Sequence, residues 1–316
     1  MTDPHVTVVV CTYNRCENLR DTLRALKGQV VDGGLALEIL VVDNNSSDQT
    51  KAVVEEAARV SRWPLRYTFE RLQGLTHARN RSIQEARGEW VAFTDDDVLP
   101  EPDWVASLWH TAQAFNADAA GGRILPLWQS PPPAWLVRQR ELLGALTLVD
   151  RGPEPLIATL RDAYFIFGAN MAFKKTLFEQ LGLFRTDLGV VGNTAMRGED
   201  TEFVVRAVQA GKRVVYAPEA VVRHKVPAER MRLAYFRRVK FHTGRSEALM
   251  WSEPVSRMPR WLIRKCLEDG IRILAAYGRG NIWLGVECKL TFWRRLGQLA
   301  GTAKRPDRIP QLANTT

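Results

Sequence analysis

Trp90-Val-Ala-Phe-Thr-Asp-Asp-Asp-Val98 is the stretch whose reading decides the fold. Its first half suits a buried strand, because Val91, Phe93 and Thr94 are β-branched or aromatic and favour a sheltered, pleated surface. A parallel strand covered on both faces has this continuous apolar character. The run ends in three adjacent carboxylates, Asp95, Asp96 and Asp97, which repel one another and are best tolerated beside solvent, hydrogen-bond donors or a cation. Open α/β sheets bind ligands at the carboxyl ends of their strands. Hard divalent cations take oxygen ligands, commonly one or two carboxylates together with substrate phosphates. Two readings follow: a site for a metal and a nucleoside diphosphate, or an acidic turn that caps the next helix.

The sequence before this stretch alternates strands and helices. Residues 6–11, 37–42 and 65–69 are strand-like runs, and Leu19, Leu23 and Leu26 recur at helical spacing before Gly28. Asn14 with Glu17, and Ser46 with Gln49, have the spacing of capping boxes. A helix is predicted over 74–86, stopped by Gly88. This β-α-β-α order predicts an α/β fold with a mostly parallel sheet and helices on both faces. Downstream, Asp103 is expected to cap a helix through Phe115, with a strand over 119–125. Residues 126–160 contain Pro131-Pro-Pro133, Trp128 and Trp135 and have no period; they read as an irregular insertion, usually a functional feature in a compact domain. The remaining expectations are a strand pair or strand-loop-strand over 164–173, a short helix over 176–181, a flexible loop over 192–198, a helix over 200–210, and two strands over 214–216 and 220–224.

The 316 residues are 46% hydrophobic, enough for one large or two moderate domains. The net charge of +9 is unevenly spread. Residues 223–305 hold 19 Lys+Arg against 6 Asp+Glu, a balance of +13, so the rest of the chain carries −4. Past residue 226 the pattern becomes three basic helices, over 230–251, 259–277 and 282–299. A two-part chain is therefore expected: an α/β domain over 1–226 and a basic helical region over 227–316. Cys11, Cys16, Cys266 and Cys288 form no paired motif and fit a reducing cytosol. No apolar run is long enough to span a bilayer, and no leader pattern opens the chain. The expected location is cytoplasmic, with a peripheral place on the inner face of the membrane as the alternative.

A set of short motifs, in order, resembles the inverting glycosyltransferases of family 2, which have the GT-A fold. The motifs are Val9-Val-Cys-Thr-Tyr-Asn-Arg15, Val41-Val-Asp-Asn-Asn-Ser-Ser47, Gly74-Leu-Thr-His-Ala-Arg-Asn80, Phe93-Thr-Asp-Asp-Asp-Val98, Gly168-Ala-Asn170, Gly198-Glu-Asp200 and the strand ending at His224. They span roughly seven-tenths of the chain. Each is weak alone; together and in order they are specific.

The resemblance implies transfer of a sugar from a nucleoside diphosphate, most simply UDP, to a hydroxyl of a glycan, glycolipid or small molecule, with inversion and with Mg²⁺ or Mn²⁺. It implies donor contacts from Thr12, Asp43, Arg79, Asp95, Asp96, Gly168 and Asn170, with the small residues and the Asn170 amide near the donor sugar or acceptor. His77 reads as loop packing. Asp97, with Asp95 and His224, is the implied metal set, offsetting charge on the leaving diphosphate. Asp200 is the implied general base, with Glu199 beside it, and the 189–198 segment resembles a loop that orders over the donor. The plain alternatives are turn residues for Thr12 and Asp43, a surface arginine for Arg79, a structural His224 and ordinary helix capping for Glu199 and Asp200. Trp128 and Trp135 have two readings, stacking on acceptor sugars or core packing.

The tail is read less directly. Arg230, Arg232, Arg237, Arg238, Lys240 and Arg245 form a basic helix, and Trp251, Trp261, Trp283 and Trp293 are interleaved with Arg260, Arg264, Lys265, Arg294 and Arg295. Such helices suit an anionic membrane surface; the alternatives are packing on the catalytic domain or on a second subunit of a homo-oligomer. No nucleic-acid motif accompanies the charge. A catalytically inactive nucleotide-sugar binder or assembly subunit is the rival function. A nucleotidyltransferase would need a Gly-rich basic loop where Thr12-Tyr-Asn-Arg15 stands.

Overall fold

The computed structural model describes residues 3–160, 166–192, 194–251 and 259–302. Its contacts divide the chain into two units: Met1–Asn193 with Glu199–Met231, and Thr194–Gly198 with Arg232–Thr316.

The first unit is built on one sheet. β1 (Val6–Thr12), β2 (Leu37–Asp43) and β4 (Trp90–Asp95) are almost wholly buried, which is why each is mostly apolar; of the buried exceptions, Thr7 and Glu38 are hydrogen-bonded to each other. β3 (Leu65–Phe69) completes a parallel block in the order β3-β2-β1-β4. The helices α1 (Cys16–Lys27), α2 (Thr50–Val60) and α3 (Leu75–Glu85) make the crossovers. β1 leads to β2 on one side while β4 lies on the other, so the ends of β1 and β4 flank the point where strand order reverses, where such sheets open a crevice.

Beyond β4 the sheet becomes mixed rather than mostly parallel. β5 (Val98–Pro100), which no sequence pattern announces, follows directly after Asp96 and Asp97 and pairs antiparallel with β9 (Val214–Val226). α4 (Trp104–Ala114) leads to β6 (Ala119–Trp128), parallel to β9, and β8 (Met171–Lys174) runs antiparallel between β4 and β6. The two strands expected over 214–224 are one. Its register shifts between Gly122 and Arg123 of β6, so Pro218 is absorbed at an irregularity without ending the strand. The insertion contains local structure with no common period: α5 (Ala134–Arg138), a 3-10 turn (Arg140–Leu146) and β7 (Leu156–Ile157), which pairs with β9. Residues 164 and 165 of the expected strand pair lie outside the described residues.

α6 (Lys175–Leu181) and α7 (Glu199–Gln209) complete the unit. Phe173, Phe178, Phe184 and Phe203 form an aromatic cluster whose ring centroids lie 4.6–6.2 Å apart, which fixes α7 on the sheet.

The capping boxes are not formed. Asn14 has a left-handed backbone, φ 51°. Its side-chain oxygen accepts the Ser47 N–H at 2.8 Å, while its own N–H donates to Ser46 Oγ at 2.9 Å. The loops after β1 and β2 are thus tied to each other. Asp48 serves α2, accepting the Thr50 N–H at 3.0 Å. Asp103 precedes α4 but makes no side-chain capping bond.

The second unit is helical: α8 (Leu233–Trp251), α9 (Arg260–Gly278) and α10 (Ile282–Thr302). α8 and α10 pack almost backbone to backbone, since a Cβ at Gly244 would strike the Arg294 carbonyl and one at Gly297 the Phe241 carbonyl. Residues 194–198 belong here, with the Arg197 guanidinium donating to Tyr235 Oη at 2.9 Å. None of the helices among the described residues is long and apolar enough to cross a membrane.

Candidate active site

The Asp triplet is held by its backbone before its side chains act. Thr22 Oγ1 of α1 donates to the carbonyls of Asp96 and Val98, both at 2.8 Å, and the Lys225 N–H of β9 donates to the Asp97 carbonyl at 3.0 Å. Pairing of Val98 with His224 then sets the imidazole beside Asp97, with Nε2 3.3 Å from Oδ1. His224 Nδ1 lies 2.9 Å from the Leu146 carbonyl, which can only accept, so this nitrogen carries the proton. Nε2 in turn accepts from the Arg230 guanidinium at 3.0 Å. The insertion therefore contributes Leu146, which fixes the ring tautomer.

Two arginines converge on the acids. Arg15 contacts Asp96 at 3.1 Å and Asp97 at 3.2 Å, and Arg230 donates to Asp97 Oδ2 at 2.9 Å. Thr12 Oγ1 donates to Asp96 at 2.8 Å. Burial pushes Asp96 up to about 7, against the pull of Arg15 and with help from the charge on Asp97. Burial also opposes the charge on Asp97, but the Arg230 and Arg15 guanidiniums against it outweigh burial and hold Asp97 well below the usual carboxylate range. Burial raises Asp95 too, with Arg79 opposing.

Arg79 joins this cluster to the second pair of acids. It is buried, sits 2.6 Å from Glu199 Oε1 and 3.4 Å from Asp95 Oδ1, and lies so close to Gly168 that a Cβ there would collide with the guanidinium. Asp200, at the start of α7, accepts the Gly168 N–H at 2.9 Å and its neighbour Thr201's N–H at 2.7 Å. Glu199 is driven up to about 7 by burial and by Asp200, despite Arg79, and its Oε2 is buried without a hydrogen-bond partner among the described residues.

The sequence-derived candidates are thus unequally placed. Asp95, Asp96, Asp97, His224 and Thr12 lie at one end; Glu199, Asp200 and Gly168 lie at the other, and Arg79 links the two through Asp95 and Glu199. Asp43 ends β2, where it accepts from the Ser46 N–H at 2.9 Å and the Tyr67 hydroxyl at 2.8 Å. Asn170 needs correction. Its oxygen accepts from Trp104 Nε1 at 2.8 Å, and its amide donates to the carbonyls of Arg123 at 2.9 Å and Ala220 at 2.8 Å. The side chain is fully buried and both amide protons are committed to carbonyls, so it ties α4, β6 and β9 together. Trp128 and Trp135 are half-buried. No sequence signal singles out Arg230 for the site, and Arg15 enters only as the last residue of the Val9–Arg15 motif, with no role attached to it. Arg230 falls in the stretch expected to be a basic helix, yet it lies in the 3-10 turn Ala228–Met231 of the first unit.

The chain is similar to several known proteins. The chain is 28% identical over 250 residues to the succinoglycan biosynthesis protein ExoM of Rhizobium meliloti, covering 79% of this chain and 76% of that protein. It is 27% identical over 249 residues to the glucosyl-dolichyl phosphate glucuronosyltransferase of Haloferax volcanii, covering 78% and 77%. Among solved structures, the mannosyltransferase PcManGT of Pyrobaculum calidifontis, in complex with GDP-Man and Mn²⁺, superposes with a TM-score of 0.62 at 21% identity, covering 95% of this chain and 87% of that one. Residues 1–349 of S. aureus TarS superpose with a TM-score of 0.55 at 15% identity, covering 96% and 93%. These likenesses show the GT-A fold. The sequence model of the family described as "Glycosyl transferase family 2" matches residues 7–182. More than half of the sequence lies inside that match, and the chain belongs to glycosyl transferase family 2.

Proposed function

We propose that this glycosyltransferase moves a sugar from a nucleoside diphosphate, with UDP-sugars the first to test, to an acceptor hydroxyl in one inverting displacement that uses a divalent cation. The observation that carries the reading is the pairing of two acid clusters through Arg79: Asp95–Asp97 with His224 on one side, Glu199 and Asp200 on the other. A single displacement needs a leaving-group end and a proton-accepting end, and no covalent intermediate.

The residues at the first end fit a cation. Asp97 and His224 Nε2 bring an oxygen and a nitrogen donor together, and the Arg230 guanidinium stands against both as a resident positive charge. No cluster of three or more metal-ligating side chains exists among the described residues, so substrate oxygens and water would complete the set. Bound there, the cation would supply compensation for charge developing on the diphosphate. Arg15 and Arg230 add two more positive groups at the same end. At the other end Asp200, oriented by two backbone N–H groups, takes the acceptor's hydroxyl proton. The freed oxygen attacks the anomeric carbon as its bond to the diphosphate breaks. Donor titration of the purified protein with Mn²⁺ and with chelator tests this reading, since it requires binding that depends on the cation.

Two predictions arise here. Arg230 and a cation compete for the same two donor atoms, so Arg230→Gln is expected to bind Mn²⁺ alone more tightly by roughly tenfold, the scale of one charge-assisted hydrogen bond. Calorimetric Mn²⁺ titration without donor would read it, and unchanged or weaker binding would remove Arg230 from the cation's place. The second concerns pH. Glu199 titrates near 7 in the folded chain against an ordinary 4.5, so between those values the unfolded chain has released a proton the folded chain keeps. Its contribution to stability is complete below that window and declines as pH rises through it; Asp96 acts in the same direction. Glu199→Gln should therefore show a shallower fall in melting temperature across the window than the parent. An unchanged slope would mean that Glu199 does not hold that proton.

A further inference from the structure

α9 is apolar on two opposite sides, and among the described residues only one of them is packed. Leu262, Cys266, Asp269 and Ala276 face the helical unit and are buried, with the Asp269 carboxylate paired to Arg295 at 2.5 Å. Ile263, Leu267, Ile271 and Leu274 recur at spacings of four, four and three, which places them in one stripe along the other side. They are exposed: Leu267 by 67%, Ile271 by 68% and Leu274 by 74%. Tyr277, at the end of α9, and Ile282, at the start of α10, are exposed as well. Scattered surface leucines need no explanation, but a continuous stripe does.

The charges of α9 say what covers it. Residues 260–279 carry five cations, Arg260, Arg264, Lys265, Arg272 and Arg279, against Glu268, the other acid, Asp269, being buried with Arg295. We propose that the outer side of α9 is a docking surface for an anionic lipid bilayer, with the Ile and Leu stripe entering the acyl boundary and the arginines meeting the headgroups. A second copy of this chain suits the surface less well, because a two-fold contact would bring the same five cations of each α9 against each other with Glu268 alone on that helix to offset them. The proposal rests on the helical unit alone and not on the reaction assigned to the first unit.

Co-sedimentation of the full chain with vesicles tests it, using phosphatidylcholine alone and phosphatidylcholine mixed with phosphatidylglycerol. The parent is expected to pellet with the mixed vesicles, more weakly with the neutral ones, and less as salt rises. Leu267→Glu with Leu274→Glu should lower partitioning by roughly tenfold or more with an unchanged melting temperature, because both side chains already face water. Parent protein that stays in the supernatant with mixed vesicles overturns the proposal. So does a double variant that pellets as the parent does. Loss of self-association in the double variant by sedimentation velocity, without vesicle binding by the parent, would assign the stripe to a second copy instead.

Discussion

Asp200→Asn is expected to bind donor as the parent does and to lose turnover by roughly 10³-fold, the scale of removing a positioned general base. The amide is nearly isosteric but cannot take the acceptor proton. One of the two backbone donors that Asp200 now satisfies, Gly168 N–H or Thr201 N–H, would face an amide nitrogen instead, at about 1–3 kcal/mol of stability. Melting curves separate that cost from the catalytic one. Donor affinity within a factor of a few of the parent, with turnover nearly abolished, is the signature of a base; parental turnover would remove Asp200 from that role.

Asp97→Asn is expected to lose Mn²⁺-dependent donor binding and to lower turnover by roughly 10²- to 10³-fold. The substitution keeps an acceptor for Arg15 and Arg230 but removes the charge that both guanidiniums and a cation share. Donor titrations with Mn²⁺ and with chelator should become alike in the variant. A full Mn²⁺ response in Asp97→Asn would place the cation elsewhere. The two substitutions are thus expected to fail differently, one in chemistry and the other at the leaving-group end.

The parts of this site that sequence reveals are those fixed by local pattern. β1, β2 and β4 are buried on both faces, so apolar residues dominate them and their polar ends, Thr12, Asp43 and Asp95, stand out. Arg15 and Arg230 carry no such mark. They reach Asp97 across 82 and 133 positions of chain, and an arginine that closes a buried cluster has the same local surroundings in sequence as one that faces water. Arg79 is the same case, except that the resemblance drew attention to it; its bonds to Glu199 and Asp95 appear only in three dimensions. Asn170 misled in the opposite direction. Its motif pointed to a ligand contact, while the burial of its amide between three elements depends on β6 and β9 meeting beside α4. The capping boxes failed because Asn14 and Ser46 found each other's loops before they found their own helices.

The most direct test of the account is a thermal-shift titration of nucleotide sugars against the parent, Asp97→Asn and Asp200→Asn, each with Mn²⁺ and with chelator. A ligand that binds only the folded state raises its melting temperature. The account predicts a donor that stabilises the parent and Asp200→Asn in Mn²⁺, stabilises them much less in chelator, and shows no Mn²⁺ dependence with Asp97→Asn. A donor that stabilises all three proteins equally, with or without Mn²⁺, would contradict it.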